Sequence, residues 1–223
     1  MKTKNTGNIF DLKFIMAKIL VINASPRGHR SHSRALTGLF IKTWQTRYPD
    51  DSFTNREVGQ TPVPHITENW IAAAFKDKAT LNPEDEKVLK LSNELVNELK
   101  NADLFVIGTP MYNWGIPSGL KAYIDQIMRI NETWKFRSGE PDGDYVGLLE
   151  NKKLYILSSR GDSGYNKGET NEYMNFQTTY LKTVFNIMGV SDVEIISLDN
   201  EEYGGERFAK SQREINQRIL QIR

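Results

Sequence analysis

The sequence contains no cysteine. That absence excludes disulfides, thiol catalysis and thiolate metal sites. Net charge is nearly absent too: 29 basic residues against 28 acidic ones leave +1 over 223 residues. Such a balance provides no electrostatic footprint for nucleic acid or for an anionic membrane, and neither is expected as a partner. Apolar runs long enough to cross a bilayer are missing. Histidine is scarce. His29, His32 and His65 are scattered without a ligand spacing such as H-E-x-x-H, so no metal is expected. Both common nucleotide signatures are lacking as well. There is no G-x-x-x-x-G-K-[ST], and no G-x-G-x-x-G after the first apolar run. A P-loop for ATP or GTP and the usual NAD cradle are thereby disfavoured.

The start, Met1-Lys2-Thr3-Lys4, has the charge of a signal peptide. Asp11, Lys13 and Lys18 interrupt the next apolar stretch, however, and cleavage after Ala24 would remove a strand. The expectation is a soluble, cytoplasmic protein. Residues 1–16 have no clear period and are expected to be a leader, either a disordered tail or the product of a start codon upstream of Met16. Residues 17–223 are expected to form one domain, a length that buries a sizeable core without staples.

What is present alternates strand and helix, which predicts an α/β, doubly wound, five-stranded parallel sheet of order 2-1-3-4-5 with helices on both faces. Strands are expected at Ile19–Ile22, Ser52–Val58 (weak and edge-like), Leu104–Gly108, Lys153–Ser159 and Val193–Leu198. Apolar stripes predict helices through Leu36–Trp44, Asp85–Asn101, Leu120–Met128, Phe176–Met188 with Gly189 as cap, and Phe208–Ile222. Residues 59–84 read as a long connection in which Trp70, Ile71 and Phe75 cover part of the core. Residues 137–147, with Gly139, Pro141, Gly143 and Gly147, read as a flexible excursion.

In such a sheet a ligand sits outside the carboxyl ends of the strands. Here those ends carry the three richest polar and glycine-bearing loops. The first, Asn23 to Ser33, joins a strand to a helix start, a natural anion cradle to which Ser25, Ser31 and Ser33 add uncharged donors. Those serines read equally as turn and cap residues. The second, Pro110-Met111-Tyr112-Asn113-Trp114-Gly115-Ile116-Pro117, offers apolar cover for a flat aromatic ligand and an amide for its edge. Packing in a satellite core or a dimer is the other reading of Tyr112 and Trp114. The third, Ser159-Arg160-Gly161-Asp162-Ser163-Gly164, brings a glycine for close approach and a cation. Alternatively it is a solvated turn with Arg160 paired to a surface acid.

Taken together, Ile19-Leu20-Val21-Ile22-Asn23-Ala24-Ser25-Pro26, Ser31-His32-Ser33, Pro110-Met111-Tyr112-Asn113-Trp114, Leu120-Lys121-Ala122-Tyr123-Ile124-Asp125 and Ser159-Arg160-Gly161 resemble the FMN-dependent NADH:quinone oxidoreductase and azoreductase family, of flavodoxin-like fold. The resemblance runs from about Ala17 to the last helix. It implies that Ser25 and the Ser31, His32, Ser33 segment hold the FMN phosphate. It implies that Met111, Tyr112, Asn113 and Trp114 line the ribityl chain and the ring, and that Ser159, Arg160, Gly161 and Asp162 meet the pyrimidine end. Tightly bound FMN, NADH or NADPH as donor, a quinone, azo or related aromatic acceptor, and a homodimer with its active site at the interface are implied with it. Donor and acceptor would use the same flavin face in turn, so ping-pong kinetics are expected, and no side chain is nominated as acid or base.

Three features depart from the family pattern. Trp114 replaces a usual Phe. Asp162 replaces a usual second Gly, which disfavours negative charge on the reduced ring unless Arg160 offsets it. The loops at 137–147 and 162–170 are longer. Other classes are an electron-carrier flavodoxin, against which the +1 charge speaks because such carriers are acidic, and a flavin-free binding module on the same fold.

Overall fold

A computed structural model describes residues 16–137 and 144–222. The expected leader, apart from Met16, lies outside the described residues, as do Gly139, Pro141 and Gly143.

The chain runs β1 (Lys18–Asn23), α1 (His32–Arg47), β2 (Ser52–Glu57), α2 (Glu68–Ala74), α3 (Pro83–Asn101) and β3 (Leu104–Pro110). It continues with α4 (Ser118–Ile127), β4 (Trp134–Phe136), β5 (Tyr145–Gly147), β6 (Lys153–Ser159), α5 (Thr178–Ile187), β7 (Asp192–Leu198) and α6 (Gly205–Leu220). The main sheet has 5 strands in the order β2-β1-β3-β6-β7, all pairs parallel. This is the expected 2-1-3-4-5 topology once the separate hairpin of β4 and β5 is set aside.

Alternation along the strands sends side chains to two opposite layers. Ile19, Val21, Val106 and Leu157 pack with Leu36 and Phe40 of α1 and Ile219 of α6. Leu20, Ile22, Phe105, Ile107 and Ile156 pack with Leu95 of α3, Tyr123 of α4 and Phe185 of α5. Burial on both faces explains why the central strands are continuous apolar runs, whereas β2, at an edge, keeps exposed polar residues.

Local chemistry sets the helix ends. Asn82 Oδ1 accepts from Asp85 N–H at 2.9 Å, and Asp85 Oδ2 accepts from Asn82 N–H at 3.0 Å, a capping box ahead of Pro83. After α5, Gly189 at φ 101° lets Val190 N–H donate to Phe185 O at 2.9 Å, which closes a Schellman motif.

Several local expectations need correction. Residues 59–84 contain the helix α2, whose Trp70 is buried beside Leu89; Ile71 and Phe75 are exposed. The 137–147 excursion follows β4, and its last three residues, Tyr145–Gly147, form β5, which pairs antiparallel with β4. Phe176 precedes α5 and is exposed rather than part of its apolar stripe. Among the described residues no helix is long and apolar enough to cross a membrane.

Candidate active site

The register places the carboxyl ends of β1, β3 and β6 side by side. Asn23 pairs with Gly108, and Pro110 with Ser159. Backbone bonds continue past the strands: Ala24 N–H donates to Gly108 O at 2.9 Å, and Met111 N–H to Ser159 O at 2.8 Å. The three turns nominated from sequence therefore share one edge of the sheet.

The first turn is built around buried hydroxyls. Ser25, Ser31 and Ser33 are all buried. Ser31 caps α1, its Oγ accepting from Arg34 N–H at 3.3 Å, and lies 3.1 Å from Ser33 Oγ. Ser25 Oγ accepts from Arg27 N–H at 3.2 Å. Arg34 fixes the turn by donating to Ser25 O at 2.6 Å and to Glu57 Oε1 at 2.7 Å. Burial works against ionisation of Glu57, but Arg34 and the N–H groups of Gln60 and Gly59 outweigh it and hold its carboxyl below the usual range. Arg27 and His32 both face Glu201, Arg27 at 2.7 Å.

The second turn is a two-residue hairpin. Tyr112 and Gly115 exchange backbone bonds of 3.1 and 3.0 Å around Asn113 (φ 48°) and Trp114 (φ 63°). Positive φ at both central residues is the requirement of a type I′ turn, which suits asparagine and strains tryptophan. Trp114 is 50% exposed.

The second and third turns together wall a cleft of about 410 Å³ lined by Met111, Asn113, Trp114, Gly161 and Asp162. Tyr112 and Ser159 do not line it. Ser159 is buried and supports Met111 through its carbonyl oxygen.

Arg160 is turned inward. It is 1% exposed, with Nε 3.4 Å from Gln177 Oε1, Nη1 3.8 Å from Asp199 Oδ1, and its guanidinium 5.5 Å from the Tyr165 ring centroid. Burial lowers the Arg160 pKa and raises that of Asp199 to about 6, so at this separation desolvation outweighs attraction for both. The acid that faces Arg160 is thus a partly buried one on the turn after β7, not the surface acid entertained from sequence.

Four further lining residues escaped the sequence reading: Tyr165, Asn171, Met174 and Glu202. Glu202 follows β7, and its N–H donates to Gly161 O at 3.0 Å. The strand-end rule that singled out three turns applies equally to β7, whose glycine-bearing turn through Gly204 and Gly205 was the available signal. A larger hollow of about 700 Å³ beside Arg129 and Glu132 contains no residue of these turns and gathers none of this chemistry.

Known proteins match this architecture over nearly the whole chain. The family model of the flavodoxin-like fold matches residues 17–222. The FMN-dependent NADH:quinone oxidoreductase 1 of Pseudomonas fluorescens is 41% identical over 208 residues, covering 93% of this chain and 98% of its own length. The chain belongs to the FMN-dependent NADH:quinone oxidoreductase family. A second family member, the FMN-dependent NADH:quinone oxidoreductase of Nostoc punctiforme, is 42% identical over 192 residues, 86% of this chain and 91% of that one. Among solved structures, the FMN-dependent NADH-azoreductase from Bacillus anthracis str. Ames Ancestor, in complex with FMN, is 25% identical with a TM-score of 0.79, covering 91% of this chain and 96% of that one.

The residues of this family member suit FMN. The first turn supplies hydroxyls and a helix N-terminus for a phosphate, and the cleft supplies a thioether, an indole and an amide for a flat ring.

Proposed function

We propose that the protein is an FMN-dependent oxidoreductase that takes hydride from NADH or NADPH and reduces quinones, azo compounds or related aromatics. It acts as a cytoplasmic homodimer whose residues 17–223 form one flavin-binding unit. FMN, when bound, supplies two-electron transfer between donor and acceptor.

The chain's own residues bind and orient. Ser25, Ser31, His32 and Ser33, at the start of α1, hold the phosphate with hydroxyls and N–H groups. Met111 and Trp114 cover the ring face, while the Asn113 amide and the backbone at Gly161 and Asp162 read its polar edge. Tyr112 and Ser159 fix the turn that carries Met111 and Asn113. Burial and the nearby Asp162 carboxylate raise the Tyr165 pKa, so its hydroxyl stays protonated as a donor in the cleft. Arg160 steadies the third turn from behind, and its buried guanidinium leaves the backbone N–H groups near Gly161 as the donors closest to developing negative charge.

The observation that carries this reading is the shared cleft of the second and third turns beside the hydroxyl-lined first one. Anaerobic mixing tests it. NADH should bleach the yellow of the purified protein, and a quinone added afterwards should restore it with one equivalent consumed. Colour that neither NADH nor NADPH bleaches contradicts the reading.

A further inference from the structure

Behind the third turn, two opposite charges face each other without bonding. Arg160 and Asp199 are the first residues after the neighbouring strands β6 and β7, whose last residues, Ser159 and Leu198, pair. Backbone bonds tie the two turns together: Arg160 N–H donates to Leu198 O at 2.9 Å, Glu201 N–H to Arg160 O at 3.2 Å and Glu202 N–H to Gly161 O at 3.0 Å. Arg160 Nη1 and Asp199 Oδ1 are nevertheless 3.8 Å apart, beyond hydrogen-bond reach. Arg160 Nη1 and Nη2, Asp199 Oδ1 and Asn200 Oδ1 are all buried without a hydrogen-bond partner. An ion pair that braces a fold closes its hydrogen bonds, because open buried groups are costly. This pair stays open, so it acts mainly as two charges.

The neighbours leave that balance to Asp199. Gln177, ahead of α5, meets Arg160 Nε with an uncharged amide oxygen, and Asn200 donates to Ser211 of α6 at 2.9 Å. Arg207 is turned to Ser163 Oγ and the Tyr203 ring. Asp162, Glu169 and the Tyr165 phenol are the other titratable groups around Asp199. Among the described residues, Asp199 is the ion-pair partner of Arg160. On the far side of the same backbone, Gly161 and Asp162 line the cleft. Asp162 disfavours negative charge on a reduced ring, and Arg160 offsets it only so far as its own charge is not already balanced.

We propose that Asp199 sets the redox balance of bound FMN through Arg160. Its carboxylate neutralises the cation behind the third turn, and loss of that charge leaves Arg160 free to favour the reduced cofactor, whose ring gains negative charge. Asp199 is a positioning residue in this role and does not touch the flavin. The inference rests on the proposed oxidoreductase function. Burial raises the Asp199 pKa to about 6, so the balance also shifts with pH, acid favouring the reduced form.

The test uses the FMN-loaded protein, wild type, Asp199→Asn and Arg160→Met. Reduction by xanthine oxidase against a reference dye gives the potentials of bound and free FMN. Their difference gives the ratio of the oxidised to the reduced FMN dissociation constant. Above about pH 7 that ratio should rise about three- to tenfold in Asp199→Asn and fall in Arg160→Met. The gap between wild type and Asp199→Asn should close towards about pH 5, where the wild-type carboxylate is protonated. A merely structural Asp199 would weaken both forms of FMN alike and leave the ratio and its pH course unmoved. A ratio equal in wild type and Asp199→Asn across this range, or one that Arg160→Met leaves unchanged, overturns the inference. The readout needs no nicotinamide. Failure of both NADH and NADPH to bleach the flavin therefore overturns the oxidoreductase reading instead, and a protein that takes up no FMN overturns both.

Discussion

Trp114 shows what a single residue gives up at this site. A bulky side chain at φ 63° is strained, and half of its indole is left in solvent rather than packed. Trp114→Gly should therefore raise stability by about 1 kcal/mol. Urea denaturation of the flavin-free protein measures this, and a lower midpoint in the variant would refute strain at this turn. That the aromatic loop walls a cleft was readable, because thioether, amide and indole follow a buried strand. Where Arg160 points was not readable. Its direction depends on Gln177 and Asp199, which come from segments that only the fold brings around it, and on Tyr165 further along its own loop.

At the scale of elements, strands and helices with strong periodicity were legible and short ones were not. β1, β3 and β6 are apolar runs because both faces are covered, and α3 announces itself by its stripe and by Asn82 and Pro83. α2 has only 7 residues and lies between prolines, while β4 and β5 have 3 residues each, too few to establish a period. The hairpin is held by backbone proximity instead. A β-carbon on Gly147 would come within 2.0 Å of Gly189 N, and Leu149 N–H donates to Met188 O at 2.8 Å. Gly147→Ala should cost about 2 kcal/mol or more through this clash. Thermal unfolding reports it, and an unchanged Tm would mean that β5 does not seat on the end of α5.

Acidity acts on the whole molecule through a few partly buried groups. Burial opposes ionisation of Glu132, but Lys100 and Lys78 prevail and hold its pKa low, as Arg34 and backbone donors do for Glu57. Their stabilisation is present above the ordinary carboxylate range and is lost as pH falls. Asp199 works in the opposite sense. Its pKa rises from 3.8 to about 6, so the folded protein binds a proton that the unfolded chain has released. Stability assignable to Asp199 therefore decreases as pH climbs between those two values, by up to about 3 kcal/mol. Urea midpoints of wild type and Asp199→Asn compared from pH 4 to pH 7 isolate it. The difference should shift against the wild type through that window, and a flat difference would show that Asp199 is not destabilised by burial. The global topology, by contrast, was fully legible, since alternating strand and helix patterns leave few ways to wind a parallel sheet.

The functional reading depends on FMN lying across the adjacent turns after β1, β3 and β6. A crystal structure of the protein grown with FMN tests that most directly. The account predicts the phosphate among Ser25, Ser31 and Ser33 and the ring against Met111, Asn113 and Gly161. FMN bound in the hollow beside Arg129, or a cleft still empty at saturating FMN, would contradict it.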